Sequence, residues 1–188
     1  VVVVSSEDDV EIRRMTLINR SGHKRRLSLT SYIELSMAPH RADLQHPAFN
    51  KLFIQTEAIP ELRTLLAFRR LRSDSACPLY VAHRFTCDQG TEDELVFETD
   101  RRSFIGRGRS LQNPQAVERD LGNSQGFVLG PVLSLRQNIE LAPNQHVQIS
   151  MVVAASDNRD HVLNLMAKYG EPHAIERAID FVWRASQI

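Results

Sequence analysis

The sequence predicts a mainly β protein, an antiparallel β-sandwich with helices appended at its C-terminal end. Three observations predict it. Short runs with apolar residues at alternate positions recur from residue 1 to residue 153, the period of a strand with a buried face. Turn signals such as Asn19-Arg20-Ser21-Gly22 and Pro143-Asn144 punctuate these runs. After Ser156 the period becomes helical, and strands followed by helices favour a sandwich with a helical extension over alternating βαβ units.

Taken in order, residues 1–4 and 10–19 read as strands joined by a polar turn at 5–9. Leu27, Leu29, Ser31, Ile33 and Leu35 line one face of a long strand, with Ser28, Thr30, Tyr32 and Glu34 on the other. Between 37 and 50 the alternation stops, and Pro39 and Pro47 bracket a loop. Strand patterns return at 52–57, 65–70, 80–86 and 95–99, with a hairpin turn expected at Gly90-Thr91. An arginine-rich loop follows at 101–114, then an irregular segment at 115–126. Leu133, Leu135, Ile139 and Leu141 mark another strand, and Val147, Ile149, Met151 and Val153 the last. Val162, Leu165, Met166 and Tyr169 then have helical spacing after a cap within 156–158. Gly170 stops that helix and Pro172 starts the next, whose apolar stripe is Ile175, Ala178, Ile179 and Val182, with Trp183 beside it. The division expected is a sandwich over 1–155 and a helical linker over 156–188. The stripe needs an apolar partner, either the sandwich or another copy.

At 188 residues the chain is long enough for one domain with a sizeable core. Lys+Arg and Asp+Glu are equal at 23 each, so the basic excess of a nucleic-acid binder is missing and no nucleic-acid partner is expected. No apolar run approaches the ~20 residues of a membrane span. Cys77 and Cys87 could form one bridge, but two free thiols are favoured. The chain starts inside a strand pattern, without Met, and ends inside a helical one; an excised piece of a longer protein is expected.

The chemistry-bearing stretch is RRSFIGRGRSLQNP at 101–114. Arg101, Arg102, Arg107 and Arg109 supply planar, permanently charged donors suited to oxyanions and sugar hydroxyls. Gly106 and Gly108 let backbone N–H groups approach a ligand. A ligand loop and a plain surface loop, its arginines paired with Glu94, Glu98 and Asp100, are both open on this pattern. Elsewhere the bland readings are favoured. His40, Asp43 and His46 read as loop residues rather than metal ligands. Glu98 and Asp100, after Glu92-Asp93-Glu94, read as a solvated strand face rather than a glycosidase pair. Arg69, Arg70 and Arg72 read as a solvated edge. Gly106-Arg107-Gly108 lacks the Lys-Ser/Thr of a P-loop, and no Gly-x-Ser-x-Gly elbow is present.

Several blocks together resemble one family. They are EDDVEIRRMTLINRS, LSLTSYIEL, ADLQHPAFNKLFIQTE, FETDRRSFIGRGRSLQNP and the tail FVWRASQI. The chain is similar, from residue 7 to residue 188, to glycoside hydrolase family 94, the disaccharide and oligoglucan phosphorylases. Within that family it looks most like the phosphorylase-like region of bacterial cyclic β-1,2-glucan synthases. The resemblance implies a galactose-mutarotase-like super-sandwich lacking its first strands, then linker helices toward an absent (α/α)6 catalytic barrel. The family's general acid lies in that barrel, so the resemblance gives this chain no catalytic residue and no metal site. It implies inverting phosphorolysis, with inorganic phosphate as co-substrate and one protein acid, and UDP-glucose as donor for the parent synthase. It places a sandwich loop near a catalytic pocket, and so assigns substrate or phosphate proximity to Phe104, Gly106, Arg107, Arg109 and Asn113. The implied partners are a β-glucan or oligosaccharide, the barrel, and a second copy in a homodimer. The implied location is the cytoplasmic face of the bacterial inner membrane, as part of the parent. The function expected is a non-catalytic fragment that scaffolds the barrel and supplies the arginine loop. A free-standing carbohydrate-binding module and a purely structural domain are the alternatives, the module being disfavoured by one Trp and three Tyr.

Overall fold

A computed structural model of the chain describes residues 1–70, 77–89 and 94–186. The expected turn at Gly90-Thr91, the acidic Glu92 and Asp93, Arg72 of the basic cluster and the last two residues lie outside that range. Strands β1 (Val2–Val4), β2 (Val10–Ile18), β3 (Arg25–Thr30) and β4 (Ile33–Glu34) precede two short helices, α1 (His40–Gln45) and α2 (Pro47–Lys51). Then come β5 (Ile54–Ile59), β6 (Thr64–Arg69), β7 (Tyr80–Cys87), β8 (Val96–Asp100) and a one-turn helix, α3 (Arg101–Ile105). Two long strands, β9 (Pro131–Leu141) and β10 (His146–Ser156), lead into helices α4 (Arg159–Lys168) and α5 (Pro172–Ala185). The fold is mainly β and antiparallel, as the strand periods predict.

The large sheet has six strands in the order β1-β2-β10-β7-β6-β5, each neighbour antiparallel. In the small sheet β3, β4 and β8 all pair with β9. Thr30 sits opposite Arg136 and Ile33 opposite Leu133. β3 and β4 thus keep one register and are successive halves of one strand, broken at Ser31-Tyr32. The predicted long strand is interrupted there because the Ser31 side chain is used inside the sandwich.

Side-chain alternation sorts the layers. On β10, Val147 and Ile149 face the small sheet, while Val152 and Ala154 face the helices. The sandwich core joins Ile54, Leu65, Phe85 and Ile149 of the large sheet to Phe97, Leu133 and Leu135 of the small one. On the other face, Val162, Leu165, Met166, Ile175 and Ile179 of α4 and α5 pack on Ile12, Leu66, Ala82 and Val152. The predicted helical stripe thus covers the large sheet, each fully buried side chain contributing about 1.5–3 kcal/mol. Trp183 stays outside it, 57% exposed.

One polar link crosses the sandwich interior. The His83 ring is fully buried. Its Nδ1–H donates to the Val152 carbonyl at 3.0 Å, and its Nε2 accepts the Ser31 hydroxyl at 2.8 Å. Ser31 Oγ in turn accepts the Leu135 N–H at 2.9 Å. Burial pushes the imidazole down to about 4, against a weaker opposing effect of the Val152 bond.

Helix α4 starts where expected, with Asn158 Oδ1 accepting the His161 N–H at 3.0 Å. Its C-terminal carbonyls are taken by the large sheet. Arg84 Nη1 donates to Met166 O at 2.7 Å and Thr86 Oγ1 to Tyr169 O at 2.8 Å. Gly170 makes room for this, since a Cβ there would lie 2.4 Å from Arg84 Nη1. Gly170→Ala is therefore expected to cost about 1–3 kcal/mol through overpacking, read as a shift of the urea midpoint. An unchanged midpoint would mean that Arg84 swings away freely.

Residues 37–50 depart from the expected loop. Pro39 and Pro47 do not bracket irregular chain but stand at helix starts, Pro39 at the N-cap of α1 and Pro47 at the first position of α2. The Asn50 amide ties the pair together through Ala42 O at 2.8 Å. Cys77 and Cys87 are both free thiols.

Candidate functional site

The arginine stretch lies over the outer face of the small sheet. Tyr32 at the break between β3 and β4, Glu34 of β4, Val96 and Glu98 of β8, and Arg136 of β9 share that face by alternation.

Residues 101–105 are helical, not loop. The Asp100 carboxylate caps α3 by accepting the Arg102 N–H at 3.0 Å. Phe104 and Ile105 turn inward to a small cluster with Ala116 and Leu121, against Tyr32 and Val96. The Phe104 and Tyr32 rings stand 4.7 Å apart. Gly106 then ends the helix at φ +85°, where a Cβ would come within 2.7 Å of the Gln115 Cβ; only glycine fits both demands. Arg136 fixes the far end of the segment. Its guanidinium donates to Arg119 O at 2.9 Å, to Ala116 O, and to Thr30 Oγ1 at 3.1 Å. Residues 106–114 thus project from a base fixed at both ends.

The arginines do not pair as the surface-loop reading expects. Arg101 Nε donates to Glu34 Oε1 at 3.0 Å, where the Tyr32 hydroxyl also donates at 2.7 Å. These two bonds hold the Glu34 carboxyl below its usual range. Burial, with the Glu34 carboxylate beside it, pushes the Tyr32 phenol up to about 12. Arg109 Nη2 donates to Glu118 at 2.6 Å. That bond holds the Glu118 carboxyl low and raises the Arg109 guanidinium. Arg109 Nη1 is enclosed without a hydrogen-bond partner. Arg102 and Arg107 are exposed and form no ion pair among the described residues.

Glu98 is not on a solvated face, contrary to the sequence reading. It is 1% exposed, because the chain from 115 to 124 covers it. Its Oε1 accepts the N–H groups of Thr99 and Asp100 at 2.9 Å each, and Oε2 accepts that of Gly122 at 3.1 Å. Asn123 completes the join, accepting the Phe97 N–H at 2.8 Å and donating its own N–H to Phe97 O at 2.9 Å.

Of the five residues assigned to a ligand loop, Arg107 and Asn113 are exposed, Gly106 and Arg109 half-buried, and Phe104 buried beneath them at 4% exposure. Phe104 anchors the loop rather than facing solvent. Arg107, Arg109 and Asn113 offer guanidinium and amide donors of the kind that hold oxyanions or hydroxyls. The sequence reading missed Tyr32, Glu118 and Arg136, and missed the roles of Glu34 and Glu98. For Tyr32 and Glu34 the signal was positional, since alternation put both on the face opposite Leu27, Leu29 and Ile33; Glu118 and Arg136 carried no such signal. His40, Asp43 and His46 spread along α1 and its junction with α2, and no group of three potential ligands is placed to hold a metal among the described residues.

Residues 1–172 match the family described as glycosyl hydrolase 94, supersandwich domain. The cyclic β-(1,2)-glucan synthase NdvB of Rhizobium meliloti (strain 1021) is similar at 32% identity over 188 residues, 99% of this chain. The chain spans only 7% of that synthase's length. Among solved structures, one assigned as a kojibiose phosphorylase from the human microbiome aligns with a TM-score of 0.48 at 10% identity, over 96% of this chain and 20% of that one. A polysaccharide lyase aligns with a TM-score of 0.41 at 12% identity, over 84% of this chain and 20% of that one.

Proposed function

The chain belongs to the glycosyl hydrolase 94 supersandwich domain family, and on that premise we propose that it is the non-catalytic β-sandwich part of a cyclic β-1,2-glucan synthase. Family membership and the likeness to the synthase make it a domain of a carbohydrate-active enzyme. The observation that carries the finer reading is the 32% identity running through 99% of the chain. In this reading residues 1–155 scaffold an (α/α)6 barrel and residues 156–188 lead toward it. Loop 106–114 lends Arg107, Arg109 and Asn113 to a β-glucan and inorganic phosphate bound in a pocket that the barrel completes, with a second copy as the other partner. The parent takes glucosyl units from UDP-glucose and works at the cytoplasmic face of the bacterial inner membrane. No helix among the described residues is long and apolar enough to cross a membrane.

The loop geometry supports this role. Arg107 forms no ion pair among the described residues and sits on a loop whose two ends are fixed, so presenting it to a ligand requires little further ordering. The double change Arg107→Ala with Arg109→Ala in the full-length enzyme is expected to lower phosphorolysis at least tenfold and to change the distribution of glucan chain lengths. Unchanged phosphorolysis and chain lengths would overturn the role given to the loop.

A further inference from the structure

A pocket of about 180 Å³ opens between the arginine segment and β8, lined in part by Glu98, Ser103, Gln115, Arg119, Asp120 and Ser124. We propose that it binds one neutral pyranose ring, as a sugar subsite separate from loop 106–114. The inference stands whether or not that loop contacts a ligand.

Size limits the occupant first. At ~30 Å³ per water the space holds about six waters, room for a single sugar ring and well below a drug-sized cleft. Chemistry limits it next. The lining polar groups are largely unclaimed by the protein. The side chains of Gln115, Asp120 and Ser124 form no hydrogen bond or ion pair among the described residues. Glu98 Oε2 accepts one N–H, from Gly122, and a carboxylate oxygen has capacity for a second donor. Donors and acceptors of both kinds therefore surround the space, with Ala116 and Leu121 as buried apolar lining. That mixture matches hydroxyls, each of which donates and accepts, beside C–H faces. Charge excludes the other obvious occupant. Two carboxylates against one guanidinium leave the lining net negative, which repels phosphate and tolerates a neutral sugar.

The walls are fixed before any ligand arrives. Glu98 is held by three N–H groups and Arg136 holds the carbonyls of Ala116 and Arg119. A Cβ on Gly122 would come within 2.9 Å of Glu98 Oε2, so the wall there is at its closest approach.

Titration of the 188-residue chain with methyl β-D-glucopyranoside, followed by amide NMR shifts, tests the site. Saturable shifts are expected at Thr99, Asp100 and Gly122, with half-saturation on the order of 10 mM, the weak affinity of a few hydroxyl contacts. Ser124→Ala and Asp120→Asn, both away from the core, should each raise that concentration by about fivefold or more while the remaining spectrum is unchanged. Inorganic phosphate should leave these amides unmoved. Absence of saturable shifts, shifts indifferent to both substitutions, or a response to phosphate in place of the glucoside would each overturn the proposal.

Discussion

Glu98→Ala is expected to remove about 3–5 kcal/mol of stability, a large share of the roughly 5–15 kcal/mol of a typical domain. The carboxylate is almost fully enclosed and satisfies the N–H groups of Thr99, Asp100 and Gly122. Alanine would leave three donors without acceptors, each costing about 1–3 kcal/mol if it stays buried. Gly122 is exposed, so its N–H recovers water and the total falls below the simple sum. Glu98→Gln should cost less, because one amide oxygen still accepts while the NH₂ group faces a donor. Urea denaturation reads both. A loss under about 1 kcal/mol for the alanine variant would mean that the carboxylate does not hold the 121–124 segment on β8.

The second large effect is a proton linkage at His83. The folded-state pKa is near 4 against an ordinary 6.5, so between those values the unfolded chain binds more protons than the folded one. The histidine's contribution is therefore fully present above pH 6.5 and is lost as pH falls toward 4. The size follows from the shift, about 2 kcal/mol lost between pH 7 and 5 and about 3 kcal/mol by pH 4. The upper half of this window lies above the range where Glu34, whose carboxyl is also held low, begins to protonate. His83→Leu should be less stable at pH 7, because Ser31 and the Val152 carbonyl lose their partner, and its stability should change little from pH 7 to 5. Parallel curves for the two proteins, or an NMR titration of His83 near 6.5, would contradict the assignment.

The strands and the two C-terminal helices were legible because each has one clear period, although the strands of the large sheet bury both faces, one against the small sheet and one against the helices. Val147, Ile149, Met151 and Val153 alternate, and Asn158, Gly170 and Pro172 mark the limits of α4 and α5. The short helices α1 and α2 were not legible. Neither buries an apolar stripe, and their prolines read equally as loop brackets. In the site, Gly106 was legible from its type, but Phe104 was not placed. The resemblance put Phe104 near a ligand, and its anchoring role follows only when Tyr32, some seventy residues earlier in the chain, is seen against it. Glu98 was misread for the same reason. Its neighbours in sequence are acidic and polar, and its cover comes from residues 115–124. The partners of Arg101 and Arg109, Glu34 and Glu118, likewise follow from the fold rather than from adjacency.

The central claim is that the projecting arginine loop serves a phosphate-dependent glucan site. The structure ranks its arginines, since Arg109 is already compensated by Glu118 while Arg107 has no ion pair among the described residues. The most direct measurement is kcat/KM for phosphate in the full-length parent carrying Arg107→Ala, Arg109→Ala or Arg102→Ala. Arg102 is the control, an exposed arginine on α3 outside the projecting loop. The account predicts a loss of about tenfold or more for Arg107→Ala, the scale of one charge-assisted contact, a smaller loss for Arg109→Ala, and none for Arg102→Ala. Equal values for Arg107→Ala and Arg102→Ala would contradict it.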